Sequence, residues 1–188
     1  EQAKPFMKSP IKKKITLYDQ IPKGGFFAGI SALASKSMIA ETSKPVYAFS
    51  ADKWKELKLK DAELHLYGRV YPEVQLSLTN LKEHNIIVHG FVDIKKELLK
   101  NHVFVFPSLL EGSAKSVYEA LASGLPVITT FNAGSVIENE KEGFIIPIQN
   151  VDLIKEKIIY YYNNKDEIDK FGRRARKLAE KYTWEKYG

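Results

Sequence analysis

From about residue 61 onward, short apolar runs alternate with segments of helical spacing. The runs are LHLYG (64–68), NIIVHG (85–90), VFVFPS (103–108), LPVITT (125–130) and GFIIPI (143–148), each rich in aliphatic or aromatic residues. Continuous apolar runs of this length suit strands covered on both faces, as in a parallel sheet. Between them, 73–83, 93–101 and 114–123 carry helical periodicity, and 151–163 and 165–181 continue it after the last run. The order βαβαβαβ predicts an α/β fold with a doubly wound parallel sheet, whose ligands sit at the C-terminal ends of the strands.

The first 60 residues are less regular. Gly25–Ile30 reads as the first strand, followed by a small, polar loop from Ser31 to Ser43 and an amphipathic helix through Tyr47, Phe49, Trp54 and Leu57. Residues 1–24, rich in Lys and Pro, read as a linker or interdomain segment. The expected domain therefore runs over 25–188, long enough for one α/β core and too short for two comfortable ones.

Composition narrows the classes. With 44% hydrophobic and 28% charged residues the chain is ordinary for a folded domain, and no cysteine is available for disulfides or thiolate metal sites. No apolar run reaches the roughly 18 residues of a membrane span, and EQAKPFMKSP lacks the apolar core of a signal peptide. The chain reads as cytoplasmic, at most touching the cytoplasmic face of a membrane. Its formal charge of +6 is spread along the sequence, apart from Lys12-Lys13-Lys14 and the group Arg173, Arg174, Arg176 and Lys177. Solvated faces account for both clusters first, and peripheral membrane contact second. Neither is interleaved with aromatic residues as in single-strand binders, so nucleic acid is not an expected partner.

The stretch with most chemistry is Phe106 to Thr130, FPSLLEGSAKSVYEALASGLPVITT. It reads as a strand, a loop carrying Glu111 and Gly112, and a helix starting near Ser113. The first turn of such a helix leaves N–H groups unpaired at the positive end of its dipole. The small residues Gly112, Ser113 and Ala114, followed by Lys115, let a phosphate approach that backbone. Glu111 stands before the helix and Glu119 nearly two turns along it, so the two carboxylates bracket a ligand with hydroxyls at its ends and phosphate between. The plainer alternatives are an i,i+4 surface pair of Lys115 with Glu119, and a turn at Glu111-Gly112 before an N-cap serine.

This stretch resembles the Glu-x7-Glu motif of family-4 retaining glycosyltransferases, with Glu111 and Glu119 at the required spacing. GLPVITT, Asn132-Ala133-Gly134 and EGFIIP downstream, and HLYG, VHGFV and VFVFPS upstream, follow in the family's order. The likeness is close over 61–188 and weaker over 25–60. It implies a Rossmann-like domain, the C-terminal, nucleotide-sugar-binding half of a GT-B enzyme, with the last helix (165–188) placed to cross to an N-terminal acceptor domain. It implies a nucleoside-diphosphate sugar of UDP or GDP type as donor, a glycan or lipid-linked acceptor, and no further cofactor. Residue by residue, Glu111 is the catalytic candidate, contacting donor-sugar hydroxyls. Gly112, Ser113, Ala114 and Lys115 line the distal phosphate or sugar, and Glu119 accepts from the ribose. Gly90, Phe91 and Val92 lie against the base, with Gly68 and Arg69 in the same wall.

The resemblance also implies a basic pair after the domain's first strand, to offset charge on the departing diphosphate. Two registers fit. Lys23-Gly24 matches the family's Lys-Gly but precedes a strand at 25–30. The preferred register takes Gly29 as the strand-end glycine and Lys36 or Lys44 as the cation, with Ile30 where arginine is frequent. Of the histidines, His65 reads as structural, His84 and His102 as solvated, and His89, just before Gly90, as a neighbour of the base only in the lesser of its alternatives. No metal site is expected. The competing function is a non-catalytic nucleotide-binding or interaction module on the same scaffold, motivated by the altered loop between Gly29 and Pro45; an epimerase or phosphorylase is third.

Overall fold

The computed structural model describes residues 13–18, 51–67, 82–90 and 92–183. Six strands form one sheet: β1 (Lys13–Tyr18), β2 (Ala62–Tyr67), β3 (Ile86–Gly90), β4 (Val103–Phe106), β5 (Val127–Thr130) and β6 (Gly143–Ile146). Their order is β3-β2-β1-β4-β5-β6, and every adjacent pair is parallel. Helices α1 (Ala51–Glu56), α2 (Ile94–Leu98), α3 (Lys115–Ala122), α4 (Val151–Asn163) and α5 (Lys165–Ala179) complete the described elements, with 3-10 turns at Lys82–His84 and Phe131–Ala133. The predicted doubly wound α/β class is the observed one. Strands β4 and β6 stop where Pro107 and Pro147 remove the next ladder N–H.

One boundary is corrected. Lys13–Tyr18, inside the segment read as a linker, is the central strand, in register with β2 (Ile15 opposite Leu64) and with β4 (Ile15 opposite Val103). The run of lysines at its start disguised a strand whose Ile15 and Leu17 alternate with Thr16 and Tyr18. The strand expected at 25–30 and the loop at 31–43 lie outside the described residues, as do Tyr47 and Phe49 of the expected helix.

Strand alternation divides the core. Val103 and Val105 of β4 face a cluster with Trp54, Ile128, Ile154, Ile158 and Tyr161, the side covered by α1 and α4. Phe104 and Phe106 point the other way, against Leu98, Val117, Leu121 and Leu125 from α2, α3 and the turn after α3. Helix α5 joins both clusters, through Ile168 and Phe171 in the first and Ala175 in the second. It fits because Gly172 has no side chain, and a Cβ there would lie 2.4 Å from the Gly124 carbonyl oxygen.

The basic group on α5 is only partly a solvated face. Arg174 donates from Nε to the Lys141 carbonyl and lies over the Phe171 ring, 4.5 Å from its centroid. Arg176 donates from Nη1 to the Ala122 carbonyl at the C-terminal end of α3, where a cation complements the negative end of the helix. These two arginines fasten the last helix to the domain, although they are exposed like Arg173 and Lys177.

Tyr161 is completely buried, and its hydroxyl has no hydrogen-bond partner. Burial drives its pKa well above the phenol range. A buried hydroxyl without a partner costs about 1–3 kcal/mol of desolvation, against which the ring's packing is unaffected. Tyr161→Phe is therefore expected to be neutral or stabilising by about 1 kcal/mol, measured by urea unfolding; a loss of stability would mean that the hydroxyl is hydrogen-bonded in solution.

Candidate functional site

Strand order reverses between β1 and β4, because β2 and β3 extend the sheet one way from β1 while β4, β5 and β6 extend it the other. Helix α1, which precedes β2, packs in the first core cluster and α3, which follows β4, in the second; at such a reversal the carboxyl ends of the strands are where open α/β sheets take ligands. The loop 107–114, carrying Glu111, follows β4 at that end of the sheet.

That loop is held by the turn after β5. Thr129 Oγ1 donates to the Phe106 carbonyl at 2.9 Å, and Thr130 Oγ1 donates to the Ser108 carbonyl. Glu111 N–H donates to the Asn132 carbonyl at 2.8 Å, and Ala114 N–H to the Ala133 carbonyl at 3.3 Å. Gly134 closes the turn at φ +58°, and a Cβ there would sit 2.2 Å from the Gly112 carbonyl oxygen. The VITT and Asn-Ala-Gly signals noted in sequence are thus the brace of the Glu111 loop.

Helix α3 starts one residue later than predicted. Its N-cap is Ala114 rather than Ser113, and no side chain caps it. No acidic residue sits in its first turn, so the positive end of the helix is not offset from within the helix itself. The Ala114 N–H, expected to face a ligand, is instead donated to Ala133; the first-turn amides that follow belong to Lys115 and Ser116. Gly112 and Ser113 are exposed at the opening. Further along α3, the Glu119 side chain is 15% exposed, with Lys115 Nζ 3.6 Å from its Oε1. The plain ion-pair alternative is therefore present in the structure, but at a separation beyond a good hydrogen bond.

At the other end of the same sheet edge, β3 finishes at Gly90 (φ +67°), and the chain emerges with Val92 exposed. Phe91, Gly68, Arg69, Gly29, Lys36 and Lys44 lie outside the described residues. The register that selected Gly29, Lys36 and Lys44 assumed a first strand at 25–30. With β1 ending at Tyr18, Lys23-Gly24 instead comes after the first strand, as its resemblance requires.

Two features were missed in sequence. Leu110 and Phe131, 83% exposed in the case of Phe131, flank the Glu111–Asn132 backbone contact and give the rim an apolar side. On β2 and β3, His65 and His89 are hydrogen-bonded to each other, Nδ1 to Nε2, at 2.8 Å. The alternation Glu63, His65, Tyr67 on one strand face was the available signal. His84 acts through its carbonyl, which accepts from Trp54 Nε1 at 3.0 Å. Among the described residues no three His, Cys, Asp or Glu side chains are placed to hold a metal ion, and no helix is long and apolar enough to cross a membrane.

Comparison with known proteins follows the same outline. Residues 38–164 match the family model for "Glycosyl transferases group 1". Poly(glycerol-phosphate) alpha-glucosyltransferase of Bacillus subtilis is 25% identical over 158 residues, covering 80% of this chain and 24% of the relative. Poly(ribitol-phosphate) alpha-N-acetylglucosaminyltransferase of Staphylococcus aureus is 30% identical over 131 residues, covering 65% of this chain and 27% of the relative. The chain spans about a quarter of the length of these two relatives. Among solved structures, S. aureus TarM superposes with a TM-score of 0.68 at 21% identity, over 94% of this chain and 33% of that one. Anabaena HepE, solved with UDP-glucose, gives 0.67 at 14% identity over 90% and 44%. The C-terminal domain of the group 1 protein LpcC from Francisella tularensis gives 0.66 at 18% over 92% and 86%. These structural likenesses fix the fold as one shared with GT-B glycosyltransferases.

The brace makes a specific demand on Gly134. An alanine there must hold a left-handed backbone, which costs about 1–2 kcal/mol, and push its Cβ into the Gly112 carbonyl. Gly134→Ala is expected to lower the thermal unfolding midpoint by several degrees and expose the 107–114 loop to limited proteolysis. Unchanged cleavage in that loop would show that the brace does not hold it.

Proposed function

The chain belongs to the group 1 glycosyl transferases, and from that membership we propose that it is the donor-binding half of a retaining enzyme that transfers a sugar from a nucleoside diphosphate to an acceptor. The observation carrying this reading is the Glu111 loop, braced from β5 beside the uncapped N-terminus of α3 at the sheet's reversal point.

On this reading the donor lies along the sheet's carboxyl edge. Its base meets Gly90, Phe91 and Val92, its ribose donates hydroxyls to Glu119, and its distal phosphate faces the start of α3. Glu111 orients the sugar and supports the positive charge that grows at its anomeric carbon as the bond to phosphate breaks. The diphosphate leaves carrying the bonding electron pair, and charge fixed nearby lowers the barrier because it needs no rearrangement during the step. The first amides of α3 supply part of that charge, and Lys23, by its place after β1, is the side-chain candidate. Departure and attack on one face of the ring retain the configuration, and no covalent nucleophile is needed. The 8-residue spacing of Glu111 and Glu119 serves two parts of one ligand rather than two sides of one bond.

The acceptor belongs to a second domain of a longer protein, located in the cytoplasm or at the membrane's inner face. A polyol-phosphate chain is the first acceptor to test, since two relatives are named for such polymers. Leu110 and Phe131 lie at the rim where it would approach.

Calorimetric titration with UDP, GDP and ADP and their sugar conjugates tests the donor site. One diphosphate is expected to bind in the micromolar to millimolar range. Glu119→Ala is expected to weaken it about tenfold or more, as for loss of a hydrogen bond to a charged group, worth about 1.5–3 kcal/mol. Binding that ignores this change would remove Glu119 from the site. A folded chain indifferent to every nucleotide would favour an interaction module instead. The 188-residue chain alone is expected to show no transfer; measurable turnover without a second domain would overturn the two-domain reading.

A further inference from the structure

We propose that His89, through its hydrogen bond to the buried His65, is a positioning residue for the nucleobase end of the donor site. The inference rests on the donor-site reading above and concerns how the chain leaves β3.

Alternation on β2 sends Ala62 and Leu64 into one core and turns Glu63, His65 and Tyr67 to the opposite face. His65 is 3% exposed, so its ring nitrogens need partners inside the protein. Glu63 Oε2 lies 3.2 Å from its Nε2, and His89 Nε2 lies 2.8 Å from its Nδ1. Both nitrogens of His65 are thereby engaged, and the second contact ties β2 to β3 through side chains.

His89 lies on the face of His65 and Tyr67, since Ile87, two residues before it, pairs with His65. Leu66 pairs with Val88, but the next residue, Tyr67, pairs with Gly90, so His89 is an extra residue in the ladder. Such a bulge increases the local twist. The imidazole packs nearly parallel to two rings: its centroid is 5.0 Å from that of His65 at 16°, and 4.5 Å from that of Tyr67 at 12°. Tyr67 is buried in turn, and its hydroxyl accepts from Asn101 Nδ2 at 3.3 Å.

The bonded and stacked imidazole fixes the end of β3 against β2. Gly90 follows at once with φ +67°, in open space, and carries the chain out toward Val92. Segment 90–92 is the one assigned to the base, and His89, held by His65, is the last side chain before it.

The test separates base recognition from general stability. His89→Leu keeps apolar bulk against Tyr67 and removes the bond to His65; His89→Gln keeps a side chain able to bond there. Each variant is titrated with UDP, GDP and ADP, after its unfolding midpoint confirms a folded chain. The leucine variant is expected to lose about tenfold for the preferred diphosphate and less than twofold for the other two, so that the preference collapses, with glutamine restoring most of it. A merely structural role would lower all three together, and that result, or an unchanged preference, overturns the proposal. A wild-type chain that binds all three equally also overturns it while leaving the donor site intact, whereas no binding by any removes both.

Discussion

The pairing of β1 with β4 is the contact on which the rest of the structure depends. It joins β2 and β3 on one side to β5 and β6 on the other through a short register in which Ile15, Thr16 and Leu17 face Val103, Phe104 and Val105. Strand order reverses at that seam, and the reversal separates the connections on either side into a crevice. Without β1 the remaining strands would form two separate pieces with unpaired inner edges, each carrying one end of the candidate site. The core on both faces follows from the same seam, since Val103 and Val105 pack one way and Phe104 and Phe106 the other.

Around this seam the site is held by backbone and hydroxyl groups more than by charged pairs. The two threonines of β5 and the carbonyls of Asn132 and Ala133 fix the loop that carries Glu111. Those groups are short and have few rotamers, so the loop is fixed at little entropic cost and the carboxylate inherits the rigidity of the sheet. Gly134 runs so close to Gly112 that a side chain on it would strike the Gly112 carbonyl, whereas one on Gly112 would meet open space. A loop of small residues is usually where a chain gains freedom; here it is where two segments approach one another.

Much of this was legible because burial on both faces writes strands as unbroken apolar runs. Strands β2 to β6 were found within a residue or two, and Glu111, Gly112, Ser113 and Glu119 were placed on the elements that carry them. The misses share a physical origin. Strand β1 begins with lysines and was passed over for the more apolar Gly25–Ile30, since local hydrophobicity says nothing about which strand has a partner on each edge. Ser113 is the better N-cap by chemistry, yet Ala114 holds the place because its N–H is drawn to Ala133 across the turn. Tertiary contact outweighed local propensity. The alternation of Glu63, His65 and Tyr67 was visible, but the partner of His65 depends on which strands pair and in what register, which periodicity does not record. Arg174 and Arg176 looked like solvated cations because their acceptors, the carbonyls of Lys141 and Ala122, are distant in sequence.

The corrected position of β1 also changes the electrostatic reading of the crevice. A first strand at 25–30 required an enlarged loop and set a lysine at 36 or 44 against the phosphates, and the oddness of that loop was the main reason to suspect a scaffold that had lost its chemistry. With β1 ending at Tyr18, Lys23 follows it by five residues in the sequence. In the proposed transfer a cation stabilises a leaving diphosphate only if it is already in place when the charge develops. The departure that motivated a non-catalytic alternative is thereby reduced to the residues between Tyr18 and Lys23, where Asp19 and Gln20 supply no cation. Lys23 and the positive end of α3, rather than a pair of basic side chains, are what the proposed donor site has to draw on.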